Sequence, residues 1–328
     1  MCWPKNKVYM RKQTRIRIFV TGGNGFIGSI FLAHLKKVKN IDVTALDHKT
    51  LDILDVKKLD EVFDTIQPHV VVNFAAHRNA NTAELERGNR AGFAWKTNVE
   101  GVKNILKVSQ KYKSYLIHIS TDMVFSGRSR DKGPYDENKP PQKNNALLSW
   151  YGFTKAEGER VLHGKKNTAI IRIGNVTAPV YDPKLDYVGK IIYLYDQKLL
   201  YPLFDDQQLT LTSIPHLFRI IERLIQKRLS GVFHATSIDT FTPHELGLYV
   251  VQKMRSKKAV ISKISIDTYL ETAPNRYPKY GGLIGKYTQK KLRITSLRWR
   301  EIIDAFPKSF TKNRITQRVS RASRRVQR

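Results

Sequence analysis

Residues Thr21-Gly22-Gly23-Asn24-Gly25-Phe26-Ile27-Gly28 follow the apolar run Ile16 to Val20 and open a segment with Phe26, Ile27, Ile30, Phe31 and Leu35 at helical spacing. The order is strand, glycine turn, helix. Each glycine has a physical reason: Gly22 for a tight turn, Gly25 so the backbone can approach a pyrophosphate, and Gly28 so helix and strand pack closely. The phosphates would rest on the unpaired N–H groups at the helix start, around Phe26 and Ile27, and on its positive dipole end. Three glycines alone are a weak sign, because glycine turns also occur without a ligand. The sign strengthens with a strand before it, a helix after it and an acidic residue about 20 positions on. That residue is Asp47, after the apolar run Ile41 to Leu46. A carboxylate there would accept hydrogen bonds from the adenosine ribose of NAD and repel the extra phosphate of NADP. His48 and Lys49 follow and would act in the opposite sense, so the expected cofactor is NAD(H) or NADP(H), with Asp52 as a further contact.

Outward from this turn, Asp52 to Asp55 start a helix carrying Val56, Leu59, Val62, Phe63 and Ile66, which Pro68 ends. Val70 to Phe74 is a continuous apolar run suited to a central parallel strand covered on both faces. Ala75 and Ala76 after it let the backbone pass close to a cofactor. Residues 84–111 are expected to form one long helix carrying Asn98, a further cofactor contact. Tyr115 to Ile119 forms a fourth strand ending in Ser120-Thr121-Asp122. A proline-rich surface loop covers 133–144, then come a helix around Trp150 to Leu162 and the strand Thr168 to Ile173. Strands and helices alternating over about 160 residues predict an α/β fold, a doubly wound parallel sheet of Rossmann type. That domain is expected over 15–176, rejoined by about 205–238, with Ile214–Leu229 as a helix and Gly231–Ala235 as a strand of the main sheet. Residues 177–204 and 239–306 are expected to form a smaller substrate-binding domain over the strand ends, where open α/β sheets bind ligands.

The chain has 328 residues, 41% of them hydrophobic, enough for a proper core. No run approaches the ~20 apolar residues of a membrane span. The basic N-terminus leads straight into the first strand, so a signal peptide is not expected. The single cysteine, Cys2, excludes an internal disulfide and fits a reducing, cytoplasmic location. No metal site is expected. The net charge of +30 is concentrated in part at the ends: residues 1–17 hold six Lys/Arg and 307–328 hold eight, neither with an acid. A basic extension (1–14) and a basic tail (307–328) can bind nucleic acid or acidic membrane; the plainer reading is a solvated extension.

Tyr151-Gly152-Phe153-Thr154-Lys155 places a phenol and an ammonium one helical turn apart on one face. A Lys⁺ close to a tyrosine favours the phenolate and lowers its pKa, so the phenol can exchange a proton near neutral pH while a hydride moves at the adjacent carbon. Tyr135/Lys139, Tyr249/Lys253 and Tyr287/Lys291 share the spacing. The first lies among prolines and the others outside the sheet half, so position singles out Tyr151 and Lys155. Thr121, at a strand's C-terminal end, offers a hydroxyl to a substrate oxygen beside Tyr151.

Taken in this order, the glycine turn, Ser120-Thr121-Asp122 and Tyr151-x-x-x-Lys155 resemble the extended short-chain dehydrogenase/reductase superfamily. Within it, Ser120-Thr-Asp-Met-Val-Phe-Ser-Gly127, Pro134-Tyr-Asp-Glu137 and Tyr151-Gly-Phe-Thr-Lys-Ala-Glu-Gly-Glu159 resemble the dTDP-4-dehydrorhamnose reductase family, strongly to residue 175 and weakly after. The resemblance implies NAD(P)H-dependent reduction of the C4 ketone of a nucleotide-linked 4-keto-6-deoxy sugar, in polysaccharide sugar biosynthesis. It implies Tyr151 as proton donor, Lys155 as ribose holder and Thr121 as orienter of the C4 oxygen. Arg172-Ile-Gly-Asn-Val176 resembles a strand end of nucleotide-sugar enzymes and places Asn175 near the substrate; His77, Arg78 and Arg276 are candidate diphosphate or sugar contacts. Met123 departs from the family's tyrosine and leaves the sugar open. It also means that the Asp-Glu pair of sugar dehydratases is missing. Two alternatives remain at this stage: an NAD-dependent nucleotide-sugar epimerase, which shares the three catalytic residues, and a non-catalytic regulatory or nucleic-acid-binding relative. A homodimer is common in the superfamily.

Overall fold

The computed structural model describes residues 15–48, 50–179, 186–255, 258–272 and 277–307. The expected basic extension, the tail beyond Pro307 and Arg276 lie outside the described residues. The first half runs β1 (Ile16–Thr21), α1 (Phe26–Leu35), β2 (Ile41–Ala45), α2 (Val56–Ile66), β3 (Val70–Asn73), α3 (Ala80–Leu85), α4 (Phe93–Trp95), α5 (Gly101–Lys111), β4 (Tyr115–Thr121), α6 (Trp150–Leu162) and β5 (Thr168–Ile173). The second half continues with β6 (Asn175–Thr177), α7 (Tyr187–Asp196), β7 (Leu203–Phe204), β8 (Leu211–Ser213), α8 (Ile214–Lys227) and β9 (Gly231–Ala235). It ends with α9 (Pro243–Arg255), β10 (Lys263–Ile264), α10 (Ile266–Thr272), α11 (Lys286–Leu292) and α12 (Trp299–Asp304).

Six strands form one parallel sheet in the order β2-β1-β3-β4-β5-β9. Every residue of β3, β4 and β5 is buried, as unbroken apolar runs require when helices cover both faces. One face packs on α1 and α8. The α8 stripe Ile214, Leu217, Phe218, Ile221, Leu224 and Ile225 meets Phe31 and Leu35 there. The other face packs on Leu59 and Phe63 of α2 and Val102, Ile105 and Leu106 of α5. From β1 the chain first steps to β2 and then returns to β3 on the opposite side. The crevice between the C-terminal ends of β1 and β3 is therefore the switch point at which such sheets take a ligand.

The expected single helix over 84–111 is interrupted. It breaks after α3 at Gly88, whose φ is +83°, and resumes at α4. Glu86 caps the resumed helix by accepting the Ala94 N–H (2.8 Å), while Glu84 accepts the Trp150 N–H (2.8 Å) at the start of α6. Between α4 and α5, residues Lys96–Glu100 widen into a π turn. Helix α6 lies against this turn almost backbone to backbone: a Cβ at Gly158 would come 2.4 Å from Asn98 O, and one at Gly152 would come 2.2 Å from Met123 O. This contact sets the first turn of α6 against the end of β4.

Beyond β5, helices α7, α9 and α12 gather Val188, Ile192, Leu246, Val250, Trp299 and Ile303 into a separate core. Two short parallel pairs, β6 with β8 and β7 with β10, stand beside it. The described residues of 240–305, legible in sequence only as loops with scattered aromatics, contain four helices. Two of them, α10 and α11, are seven residues long, too short to show a repeating apolar stripe. No helix among the described residues is long and apolar enough to cross a membrane.

Candidate active site

A cavity of about 1430 Å³ runs from the glycine turn, past the ends of β3 and β4, to the underside of α7 and α10. Gly22, Gly25, Phe26, Ile27, Gly28, Asp47, Asp52, Ala75 and Ala76 all line it. Two of the three glycines serve the protein's own packing. Gly22 has φ +68° and its missing Cβ would fall 2.6 Å from Ala75 N; a Cβ at Gly28 would fall 2.3 Å from Gly22 O. Gly25 is different. Chain neighbours aside, only Gly22 O, at 3.1 Å, lies within 4 Å of its Cβ position, and the rest of that space is cavity. Gly25 is also the N-cap of α1, with no side-chain cap and no acid in the first turn, so the free N–H groups there face an open, anion-compatible space. These residues fit a dinucleotide. Asp47 Oδ1 accepts from the Thr50 N–H (2.8 Å) and hydroxyl (2.7 Å), fixing its carboxyl at the cavity wall.

Tyr151 lies in the first turn of α6, which Ser149 caps by accepting the Gly152 N–H (3.1 Å). Lys155 follows one turn on, and Thr121 ends β4; all three line the cavity. The Thr121 hydroxyl accepts the Met123 N–H and donates to Asp122 Oδ1, both at 3.2 Å, and it lies beside the Tyr151 phenol. It is thus a turn cap and a site group at once. The expected lowering of the Tyr151 pKa by Lys155 is not what the structure holds. Burial pushes the phenol up to about 12, the neighbouring Asp122 adds to this, and the Thr121 hydroxyl and Arg78 oppose it. Lys155 does not bond the phenol: its Nζ donates to Ile119 O (2.7 Å) and lies 3.2 Å from His118 Nε2. Burial pulls Lys155 down to about 8, against the attraction of Glu159. Burial also pushes Asp122 up to about 6.

Other expected contacts divide. Arg78 and Asn175 line the cavity, Asn175 with its amide near Thr210 O (3.4 Å). Asn98 and His77 are not among the lining residues. Asn98 is fully buried, accepting the His77 N–H (2.9 Å) and donating to His77 O (3.0 Å) and Thr154 Oγ1 (2.9 Å). It ties the irregular segment following β3 to α6. His77 Nε2 is engaged by the Thr82 hydroxyl (2.9 Å). The other Tyr/Lys pairs are surface or loop contacts: Tyr249 and Lys253, for example, both bind Asp304 at 2.8 Å. Sequence reasoning missed Lys190, Tyr187, Tyr201, Phe204, Tyr269 and Tyr277, which wall the far half of the cavity. They come from α7, β7, α10 and the stretches beside them, with no one spacing running through them, so no local signal marks them as a set. His118 was also passed over, as one polar residue in an apolar strand.

What the cavity brings together is room for a dinucleotide and, beside it, a half-buried phenol that can pass a proton. That is the equipment of an NAD(P)-dependent oxidoreductase of the short-chain dehydrogenase/reductase type. A family model described as RmlD substrate binding domain matches residues 16–312. The dTDP-4-dehydrorhamnose reductase of Aggregatibacter actinomycetemcomitans is 34% identical over 146 residues, 44% of this chain and 46% of that one, so the match spans just under half of that relative. The dTDP-4-keto-6-deoxy-D-glucose reductase of Streptomyces niveus is 32% identical over 233 residues, 70% of this chain and 76% of that one. The crystal structure of a dTDP-4-dehydrorhamnose reductase from Bacillus anthracis, in complex with NADP, superposes with a TM-score of 0.76 at 25% identity over 89% of this chain and 98% of that one. The chain belongs to the dTDP-4-dehydrorhamnose reductase family of extended short-chain dehydrogenases/reductases.

One consequence concerns cofactor choice. Asp47→Asn keeps an acceptor for Thr50 and removes the charge at the cavity wall. It is expected to shift preference from NADH toward NADPH by about tenfold, the scale of one lost like-charge contact. Dissociation constants for the two cofactors check this; an unchanged ratio would show that Asp47 does not face the adenosine ribose.

Proposed function

We propose that this protein reduces the C4 ketone of a nucleotide-linked 4-keto-6-deoxy sugar with NAD(P)H. The observation that carries this reading is the continuity of one cavity from the Gly25 cradle, past Thr121 and Tyr151, to the aromatic wall of Tyr187, Tyr201 and Tyr277. Flat aromatic faces suit a nucleobase, and the cationic Arg78 and Lys190, also on the wall, suit a diphosphate. NAD(P)H, when bound, supplies the hydride. Thr121 and Tyr151 hold the ketone oxygen between two hydroxyl groups. As the carbon is reduced, that oxygen gains negative charge and takes the phenolic proton of Tyr151, leaving an alcohol. A phenol held near 12 stays protonated at neutral pH, which is the state a proton donor needs. The raised value therefore suits reduction better than a resting phenolate would. Asn175 and Arg78 are proposed to position the sugar-nucleotide.

The test is cofactor consumption. Purified protein with NADH or NADPH and a panel of nucleotide 4-keto-6-deoxy sugars should oxidise the cofactor in proportion to sugar. Tightly retained NAD with interconversion of a nucleotide sugar and no net consumption would instead indicate an epimerase. Cofactor binding with no turnover of either kind would overturn the enzymatic reading.

A further inference from the structure

Lys155 sits at the end of a buried hydrogen-bond chain that crosses three strands. The Ala75 backbone N–H (3.0 Å) and the Thr21 hydroxyl (2.6 Å) both donate to Asn73 Oδ1. A backbone N–H can only donate, so the atom it meets is the amide oxygen. The amide nitrogen of Asn73 is then the atom that faces His118 Nδ1, at 2.9 Å. That nitrogen also can only donate, so Nδ1 accepts and carries no proton. A neutral imidazole keeps its one proton on the other nitrogen, Nε2, and Nε2 lies 3.2 Å from Lys155 Nζ. An ammonium has donors only, so facing Nε2–H it would set donor against donor; a neutral amine offers a lone pair there and still donates to Ile119 O. Thr21, Asn73, His118 and Lys155 are each at most 3% exposed, and 3.2 Å leaves no room for a water between Nε2 and Nζ to relieve a mismatch.

We infer that His118 is a positioning residue for Lys155: oriented by Thr21 and Asn73, its Nε2–H faces Nζ and shifts Lys155 from the ammonium toward the neutral amine in the ligand-free site. The surroundings agree. Burial keeps His118 well below the usual histidine range, so the doubly protonated ring does not compete near neutral pH. The groups facing Lys155 are His118 from β4 and Tyr151 and Glu159 from α6. Glu159 attracts the ammonium, but its carboxylate is already taken by Arg172 of β5 at 2.8 Å. This role rests on the Tyr151–Lys155 chemistry proposed above. The titration, however, is read without any sugar or cofactor, so it stands or falls separately from that chemistry.

The test is NMR of the full chain labelled with ¹⁵N-histidine and ¹³C,¹⁵N-lysine, with Lys155→Met to assign the lysine signal. The expected result is a neutral, Nε2-protonated His118 throughout pH 6–9 (about the range in which the two groups separate), with Lys155 titrating near 8. His118→Gln offers Nζ an oxygen in place of Nε2–H, and should raise the Lys155 midpoint by about one unit, a tenfold change in the amine-to-ammonium ratio. Asn73→Asp should move the His118 proton to Nδ1 and raise the Lys155 midpoint as well. An Nδ1-protonated or cationic His118 in the unaltered protein overturns the inference. So does a Lys155 midpoint that stays put in a folded His118→Gln or Asn73→Asp variant; a purely structural role would lower thermal stability and leave that midpoint alone.

Discussion

Replacing Tyr151 by phenylalanine is expected to lower kcat by about 10²–10⁴-fold, the usual worth of a positioned general acid. The ring would stay buried against the same neighbours, so the fold and the cofactor dissociation constant should hold nearly constant. What disappears is the proton for the developing alkoxide, together with the hydroxyl that lies beside Thr121. The loss therefore belongs in kcat more than in KM, because the interaction is strongest in the transition state. Steady-state kinetics at saturating NAD(P)H, with cofactor binding measured in parallel, separate the two. A variant that retained more than about a tenth of wild-type turnover would remove Tyr151 from the role of proton donor.

The largest stability effect is expected at the other end of α6. Arg172, 1% exposed, donates to both carboxylate oxygens of Glu159, from Nε at 3.0 Å and Nη2 at 2.8 Å, and to Lys139 O from Nη1 at 3.0 Å. Its guanidinium also lies over the Phe125 ring, 4.9 Å from the centroid. Arg172→Met leaves the Glu159 carboxylate buried without its partner and should cost about 3–5 kcal/mol. Arg172→Met with Glu159→Leu, which removes both charges, should recover most of that loss, since an apolar pair of similar volume avoids the desolvation penalty. Denaturant unfolding of the two variants checks this. Equal losses in both would mean that the charge pairing is not what Arg172 contributes. Arg172 thus belongs to the scaffold that joins α6 to β5, although it opens the motif whose Asn175 lines the cavity.

The parts of the site that could be read from sequence were those with local signatures. The glycine turn needs a strand before it and a helix after it, and all three conditions fall within about 20 residues. The Tyr151–Lys155 spacing is one helical turn, and its position after β4 separated it from three look-alike pairs. Asn98 and His77 were misread for a reason that spacing cannot reveal. Each is polar and close in sequence to the cofactor side, but the π turn at Lys96–Glu100 directs Asn98 into the backbone of His77 and the side chain of Thr154. The Tyr151 pKa was misjudged because helical spacing says that a lysine is near, not which atom its Nζ bonds; here that atom is Ile119 O. Nor could the aromatic wall be anticipated, as its members come from α7, β7, α10 and the segments between.

The amino-acid sequence by itself determined the doubly wound sheet, the glycine turn between β1 and α1 and the spacing that puts Tyr151 and Lys155 one turn apart on α6, because each rests on periodicity or spacing within one or two elements. Only the tertiary structure decided which polar groups face the cavity, how burial sets the protonation of Tyr151, Asp122 and Lys155, and that Thr21, Asn73 and His118 converge on Lys155. Those properties depend on atoms brought together from β1, β3, β4 and α6 in a dry interior, where a hydrogen bond made or missed outweighs any local propensity.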